Sequence, residues 1–344
     1  MTGHVRPIGA QGAASGWAEL RRPLRHPSET DDPVLRVLLE RAAAGSRPGD
    51  RRDRHLVCLA VEGGGMRGSV SAGMCVALEG AGLIPAFDRI YGCSAGALNG
   101  AFTAAAQAWL GATTYEESAS RRFIDARQLV RGRPLVDLEL VFDELLARKW
   151  PLCCAGLANG PDFRALAVSP RSGELRVLSD LRKPDEILKA VRASCSVPLL
   201  NGAPQQFRGE PLVDGGFLES VPYRSALSEG ATHVLALRSR DVSYRLPPYR
   251  RLAELAMRLA SSELVSLLRT RPQRYNRDAQ ELERLASHPP GSPPVTQVAV
   301  ARDRRLVEHL ATDVTQIRDC IQLGETAIAS LVLGDGAEHL EPAA

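Results

Sequence analysis

The sequence of 344 residues is poor in lysine, in aromatic residues and in long apolar runs. Its basic residues are nearly all arginine, and the net charge is only +3. Aromatic residues make up 5% of the chain and do not alternate with basic ones, so the sequence does not indicate a nucleic-acid-binding protein. Since no run of about 18 apolar residues occurs, the sequence predicts no membrane-spanning helix.

Cysteine spacing argues against a metal-binding function. The seven cysteines include no C-x-x-C pair, so the sequence predicts no zinc site. Most of them lie within apolar runs, where a free thiol packs like a small hydrophobic side chain. The N-terminus also lacks a secretory signal pattern, and together these features predict a reducing compartment. We therefore expect a cytoplasmic, bacterial protein with at most transient contact at a membrane surface; the oligomeric state is not indicated.

The composition changes near residue 54. Residues 1–54 carry glycine, alanine, proline and scattered charge, which predicts a poorly structured N-terminal extension. One short helix is predicted within it, at Pro33–Ala44. We expect a folded domain over residues 55–335, with its core motifs in 56–230, and a C-terminal tail at 336–344.

The first ordered element is predicted at Leu56–Val61, six consecutive apolar residues that are typical of a strand buried on both faces. A helix is expected after the next glycines, then a strand at Phe87–Gly92 and a helix at Ser94–Leu110. Later elements are predicted as strands at Leu166–Ser169, Leu175–Leu178, His233–Arg238 and Thr296–Ala301, and as helices at Glu139–Arg148, Pro184–Ala193, Arg250–Leu268 and Leu306–Leu331. The alternation of strands and helices predicts an α/β layered fold with a mostly parallel sheet.

Glycines follow the first predicted strand with a spacing that occurs in dinucleotide-binding proteins. Gly63, Gly65 and Gly68 fit G-x-G-x-x-G. Asp88 follows Gly68 by 20 residues, where a ribose-binding carboxylate is expected. That carboxylate should lie at the C-terminal end of the second strand, however, whereas Asp88 comes before most of it. A dinucleotide-binding oxidoreductase is therefore an alternative interpretation of this loop.

A second glycine-rich turn follows the second predicted strand. Gly92-Cys93-Ser94-Ala95-Gly96 fits G-x-S-x-G between a strand and a helix, the context of a nucleophile elbow. The glycines permit a tight turn that exposes Ser94 at a helix N-terminus, where the helix dipole favours negative charge. Ser94 is therefore a candidate nucleophile.

A serine nucleophile needs a base, and histidine is the usual one. None of the seven histidines stands in a loop typical of a catalytic base: His4, His26, His55, His233, His288, His309 and His339. His309, for example, is expected on a charged helix. Asp214 follows an apolar stretch and precedes Gly215 and Gly216, so a carboxylate is expected there at a flexible loop.

Taken together, these stretches resemble the patatin-like phospholipase family. That family carries G-G-G-x-[RK]-G, then G-x-S-x-G, then D-G-[AG]; here they read GGGMRG at Gly63–Gly68, GCSAG at Gly92–Gly96 and DGG at Asp214–Gly216. The segment RASCSVPLL at Arg192–Leu200 is similar to a further family block. Glu219 stands where the family commonly has Asp or Asn. The resemblance covers residues 55–240 and, more loosely, extends to about 335.

The resemblance implies a three-layer α/β/α fold and a lipid acyl hydrolase that needs no metal or cofactor. Ser94 would be the nucleophile and Asp214 the general base. Backbone N–H groups around Gly64, Gly65 and Met66, within the Gly63–Gly68 loop, would bind the oxyanion.

The same resemblance leaves several roles open. Arg67 would orient the loop or meet a phosphate headgroup, and the orienting role is favoured. Gly92, Gly96, Gly215 and Gly216 would support the turns around the nucleophile and the base. The alternative to an enzyme of this kind is a catalytically silent lipid-binding scaffold. The basic helix predicted at Arg250–Arg269 could lie on an anionic membrane, although a helix that covers the sheet is favoured.

Overall fold

The computed structural model describes residues 23–119, 123–125, 127–198, 200–249 and 262–333. The strands are β1 Val57–Val61, β2 Arg89–Cys93, β3 Asp162–Val168, β4 Leu175–Leu178, β5 Gln205–Phe207, β6 Glu210–Asp214, β7 His233–Leu237 and β8 Val295–Val298. The helices are α1 Pro33–Ala43, α2 Gly68–Gly80, α3 Ala95–Ala104, α4 Ala108–Ser118, α5 Arg127–Val130, the π-helical α6 Leu140–Lys149, α7 Cys154–Asn159, α8 Pro184–Ser194, α9 Tyr223–Ser228, α10 Ser262–Ala286 and α11 Val314–Val332.

The strands form one sheet in the order β5-β6-β3-β2-β1-β7-β8, with β4 also paired to β3. The central strands β3, β2, β1, β7 and β8 are parallel to one another. Strands β4, β5 and β6 pair antiparallel at one side. The prediction of a mostly parallel sheet is therefore confirmed.

Strand β1 shows why the sheet lies between two layers of helices. All five of its residues are buried, as the unbroken apolar run predicts for a central parallel strand. Successive side chains point to opposite faces. Val57, Leu59 and Val61 pack into the core that contains α1, α2, α3 and α11, whereas Cys58 and Ala60 pack into the core that contains α9 and α10. Both faces are covered, which confirms the three-layer α/β/α fold.

The prediction of a poorly structured N-terminal extension is wrong for residues 23–54; residues 1–22 lie outside the described part. Helix α1 begins at the predicted residue, where Asp32 caps it by accepting from the N–H groups of Val34 and Leu35, both at 2.9 Å. Val34 and Leu35 are buried in the main core. Arg41 fixes the end of the helix through an ion pair of 2.7 Å with Asp53.

Several element boundaries also differ from the predictions. The single helix predicted over Ser94–Leu110 is two helices, because Ala106 takes a left-handed backbone with φ of 55°. Helix α11 begins eight residues later than the predicted Leu306, since Asp313 caps it by accepting from the N–H groups of Thr315 and Gln316. The short strands β5 and β6 were not predicted as a pair. Of the helix predicted at Arg250–Leu268, residues 250–261 lie outside the described part.

Within the described ranges, no helix is both long enough and apolar enough to cross a membrane.

Candidate active site

The two glycine-rich turns lie side by side because they follow neighbouring parallel strands. Val61, the last residue of β1, pairs in register with Gly92 of β2. A Cβ atom on Gly63 would lie 2.8 Å from the Cβ of Ser94 and 2.5 Å from the Cys93 carbonyl oxygen. Only glycine permits this approach, and the parallel register therefore brings the loop Gly63–Gly68 onto the candidate nucleophile.

Ser94 occupies a strained turn between β2 and α3. Its backbone has φ of 55° and ψ of −129°, a conformation that non-glycine residues rarely adopt. A Cβ on Gly92 would lie 2.4 Å from the Ala97 Cα, and one on Gly96 would lie 2.2 Å from the Val61 carbonyl oxygen. This is the geometry that the G-x-S-x-G pattern predicts for a nucleophile elbow.

A buried serine that the sequence analysis did not single out holds this turn. The Ser194 hydroxyl oxygen accepts the Ser94 backbone N–H at 2.9 Å and donates to the Leu166 carbonyl at 2.5 Å. Ser194 lies at the end of α8, in the segment that resembles a family block. The only signal in the sequence was that family resemblance, since serine at the end of a helix is common.

Asp214 is the last residue of β6 and is buried at 6% exposure. Its Oδ1 accepts from the Gly216 N–H at 2.7 Å and from the Cys93 thiol at 3.8 Å. Burial raises the pKa of Asp214 above its ordinary value, and a hydrogen-bonding interaction with the Ser94 side chain is the largest effect in the opposite direction. Ser94 and Asp214 line the same cavity, although they are 120 residues apart in sequence.

The N–H groups of the loop Gly63–Gly68 can be accounted for one by one. Gly63 donates to the Ser220 carbonyl at 3.2 Å, and Met66 donates to the His309 carbonyl at 3.0 Å. The Gly64 and Gly65 N–H groups have no acceptor among the described residues. The Met66 N–H, which was expected to bind the oxyanion, is therefore already hydrogen-bonded. Among the described residues of the loop, the Gly64 and Gly65 N–H groups remain free to bind an anion.

Arg67 turns away from the cavity. Arg67 is 4% exposed, and its guanidinium lies against the His309 ring, with its two terminal nitrogens 3.2 and 3.0 Å from Nδ1 and Nε2. Burial and then the charge of Arg240 lower the pKa of Arg67 to about 10. These contacts favour the orienting role over a headgroup contact. His309 itself lies in a loop before α11, so its prediction on a charged helix is wrong.

A cavity of about 590 Å³ opens onto these groups. Ser94, Asp214, Gly64 and Gly65 are among the residues that line it. The remaining wall is mostly apolar and includes Leu98, Phe123, Val136, Leu138 and Phe142. An apolar cavity with a few converging polar groups is the usual form of a small-molecule site.

The dinucleotide alternative conflicts with the position of Asp88. That side chain lies at the N-terminal ends of the strands, where it binds Arg41 at 2.8 Å and Arg51 at 2.7 Å. It also accepts the Val57 N–H at 2.8 Å. The glycine loop lies at the opposite edge of the sheet, so Asp88 cannot bind a ribose held by that loop.

The comparison with protein families agrees with this geometry. The sequence model described as patatin-like phospholipase matches residues 59–227. Residues 59–227 form a patatin-like phospholipase domain. All three motifs, from Gly63 to Gly216, fall inside it. No cluster of three potential metal ligands occurs among the described residues.

Relatives of the patatin-like domain include proteins from bacteria and mammals. "Uncharacterized protein YjjU" of Escherichia coli (strain K12) is 24% identical over 275 residues, which is 78% of this chain and 74% of that protein. The "1-acylglycerol-3-phosphate O-acyltransferase Pnpla3" of Mus musculus is 29% identical over 46% of this chain. This chain spans only 38% of the mouse protein. Among solved structures, VipD from Legionella pneumophila matches with a TM-score of 0.33 and 13% identity, over 79% of this chain and 66% of that one.

Proposed function

We propose that the protein is a serine acyl hydrolase that cleaves carboxylic esters of lipids through Ser94 and Asp214. The observation that carries the proposal is that Ser94 and Asp214 line the same mostly apolar cavity. Ser94 also occupies the strained elbow that this chemistry uses. Membership of the patatin-like family supports the lipid substrate class.

In the first half of the reaction, Ser94 Oγ attacks the ester carbonyl carbon while its proton passes to the Asp214 carboxylate. The carbonyl oxygen becomes an oxyanion, which the free N–H groups of Gly64 and Gly65 would bind. The tetrahedral intermediate then collapses. The alcohol leaves with the proton held by Asp214, and an acyl group stays on Ser94.

The second half repeats these steps with water. Asp214 accepts a proton from the water that attacks the acyl-enzyme, and returns a proton to Ser94 Oγ as the fatty acid leaves. An ordinary aspartate is a weak base for a serine hydroxyl. Two features of the site reduce that mismatch, since burial raises the pKa of Asp214 and the two N–H groups are already oriented before the reaction.

An alcohol could replace water as the acyl acceptor. The mouse relative, and a Homo sapiens relative that is 42% identical over 16% of this chain and 11% of its own length, are both named as 1-acylglycerol-3-phosphate O-acyltransferases. The same acyl-enzyme would serve hydrolysis or transfer. Product analysis with and without 1-acylglycerol-3-phosphate as acceptor separates them, because a transferase accumulates the diacyl product and a hydrolase accumulates fatty acid.

The test of the proposed function compares four proteins: the wild type, Ser94→Ala, Asp214→Asn and Ser118→Ala. The substrates are phospholipids, lysophospholipids and short-chain nitrophenyl esters. Ser118 is a matched control, because it lines the same cavity and its hydroxyl has no partner among the described residues. We expect both site variants to lose about 10⁴-fold or more in kcat, and the control to keep wild-type turnover. Wild-type turnover in Ser94→Ala would contradict the proposal.

A further inference from the structure

A buried polar network lies directly beneath the loop Gly63–Gly68. At its centre is Glu62, 2% exposed at the end of β1. Its Oε2 accepts from the Ser239 N–H at 2.7 Å and from the Arg238 Nε at 3.2 Å, while its Oε1 accepts from the Tyr275 hydroxyl at 2.8 Å. Arg238 is fully buried and also donates to Gln297 Oε1 at 3.1 Å. Every member is satisfied, so the network is stiff.

A side-chain hydroxyl of this network contacts the candidate oxyanion loop. Ser239 Oγ donates to the Gly63 carbonyl at 3.0 Å. The same oxygen would lie 3.0 Å from a Cβ atom placed on Gly64. The Gly63 N–H is fixed from the other side by the Ser220 carbonyl. Both polar groups of Gly63 are therefore held, and the peptides that follow carry the two N–H groups without an acceptor.

We propose that Ser239 and Glu62 are positioning residues, which fix the Gly63 carbonyl and so aim the Gly64 and Gly65 N–H groups into the cavity. The inference rests on the proposed function, since the direction of these two N–H groups matters for binding an oxyanion. Neither residue is among those that line the cavity. Ser239 acts on the Gly63 carbonyl, and Glu62 acts through the Ser239 N–H and through Arg238.

The experiment measures whether the hydrogen bond from Ser239 Oγ to the Gly63 carbonyl contributes to stabilising the transition state. Ser239→Ala removes only the hydroxyl, and we expect kcat to fall by about tenfold or more at unchanged KM, because misaligned donors weaken the oxyanion site. A trifluoromethyl ketone forms a tetrahedral oxyanion adduct on serine. Its inhibition constant should rise by the same factor as kcat/KM falls. Binding of the fatty acid product should not change.

Two further variants and a matched control separate positioning of the loop from loss of protein stability. Glu62→Gln should show the same pattern more strongly. Tyr275→Phe should show a weaker form of the pattern, and it replaces Glu62→Gln in the test if that variant does not fold. Asp53→Asn is the matched control, because it breaks another ion pair of a buried arginine, Arg41, at the opposite edge of the sheet. It should lower the melting temperature without changing kcat or inhibition by the ketone.

A readout without catalysis separates this inference from the proposed function. In a Ser94→Ala background, amide hydrogen exchange in residues 62–68 should become faster when Ser239→Ala is added. Unchanged exchange would overturn the positioning role of Ser239, even if the protein proves to have no esterase activity. Where the wild type is active, a Ser239→Ala protein with wild-type kcat, or one whose ketone inhibition does not follow kcat/KM, would also overturn it.

Discussion

At the scale of single residues, the site depends on polar groups that hold backbone. The backbone strain at Ser94 persists only if its surroundings fix the turn, and Ser194 does this by accepting the Ser94 N–H. At Gly92 and Gly96 the backbone is too close for any side chain. The hydroxyl of Ser94, the proposed nucleophile, is therefore positioned by residues that take no part in the proposed proton transfer.

Ser194→Ala tests this dependence. The substitution leaves the Ser94 N–H and the Leu166 carbonyl without a buried partner, which should cost about 1–3 kcal/mol of unfolding free energy. We also expect kcat to fall, because the elbow can relax. Urea unfolding and esterase assays measure the two effects. Ser118→Ala is the control, since its buried hydroxyl has no partner among the described residues and its loss should be neutral. Equal behaviour of the two variants would contradict the role of Ser194.

The raised pKa of Asp214 predicts the acid limb of the pH–rate profile. Only the carboxylate can accept the proton from Ser94, so activity should fall as the pH drops through the pKa of Asp214. Because burial raises that pKa, the midpoint of the acid limb in kcat/KM should lie above about 4, the ordinary value for aspartate. A profile that stays flat down to pH 4 would show that Asp214 is not the base.

At the scale of elements, one helix contact supports the candidate oxyanion loop Gly63–Gly68. The loop leads into α2, and α11 packs against α2 with a glycine on each side. A Cβ on Gly73 would lie 1.9 Å from the Ile321 carbonyl oxygen, and one on Gly324 would lie 2.0 Å from the Val70 carbonyl oxygen. The two backbones are therefore in direct contact, and α11 fixes the position of the helix N-terminus at the site.

Gly324→Ala should push these helices apart. We expect a loss of about 1–3 kcal/mol or more in unfolding free energy, because the backbone of α2 cannot yield to a methyl group. Ester hydrolysis should fall with it, since the N-terminus of α2 moves relative to Ser94. Gln322→Ala, at an exposed position of α11, is the control and should leave both quantities unchanged. A Gly324→Ala protein as stable and active as the wild type would contradict the close contact.

The elements that the sequence predicted well were those with strong local patterns. Unbroken apolar runs identified β1 and β2, and the glycines after them marked the two turns. The pair β5 and β6 was missed because its strands are short and antiparallel, and β6 carries Pro211. The break between α3 and α4 was missed because Ala106 gives no local signal for a left-handed backbone.

At the scale of the whole molecule, sheet topology gathers the site. The parallel strands β1 and β2 bring both glycine-rich turns to the same edge. Strand β6 runs antiparallel to β3, yet its last residue, Asp214, pairs with Ala167 near the C-terminal end of β3. The sequence indicated Ser94 through the G-x-S-x-G pattern between a strand and a helix, and the family resemblance added Asp214 as the candidate base. The sequence did not indicate the roles of Glu62, Ser239 or Ser194, because those roles depend on contacts between residues distant in sequence.

The burial of Asp214 should also affect stability. A carboxyl group whose pKa is raised in the folded state contributes stability below its unfolded pKa, and loses that contribution as the pH rises through the folded pKa. Asp214→Asn should therefore match the wild type in acid and melt at a higher temperature at neutral pH. Thermal unfolding across this pH range measures the difference. An Asp214→Asn protein that is less stable by the same amount at every pH would contradict the buried charge.

The central claim is that Ser94 becomes acylated with the help of Asp214. Mass spectrometry of a reaction with a short-chain nitrophenyl ester, quenched within the first turnover, tests it most directly. We predict an acyl adduct on the peptide that contains Ser94, its absence in Ser94→Ala and its much slower formation in Asp214→Asn. An adduct on another residue, or full turnover by Ser94→Ala, would contradict the account.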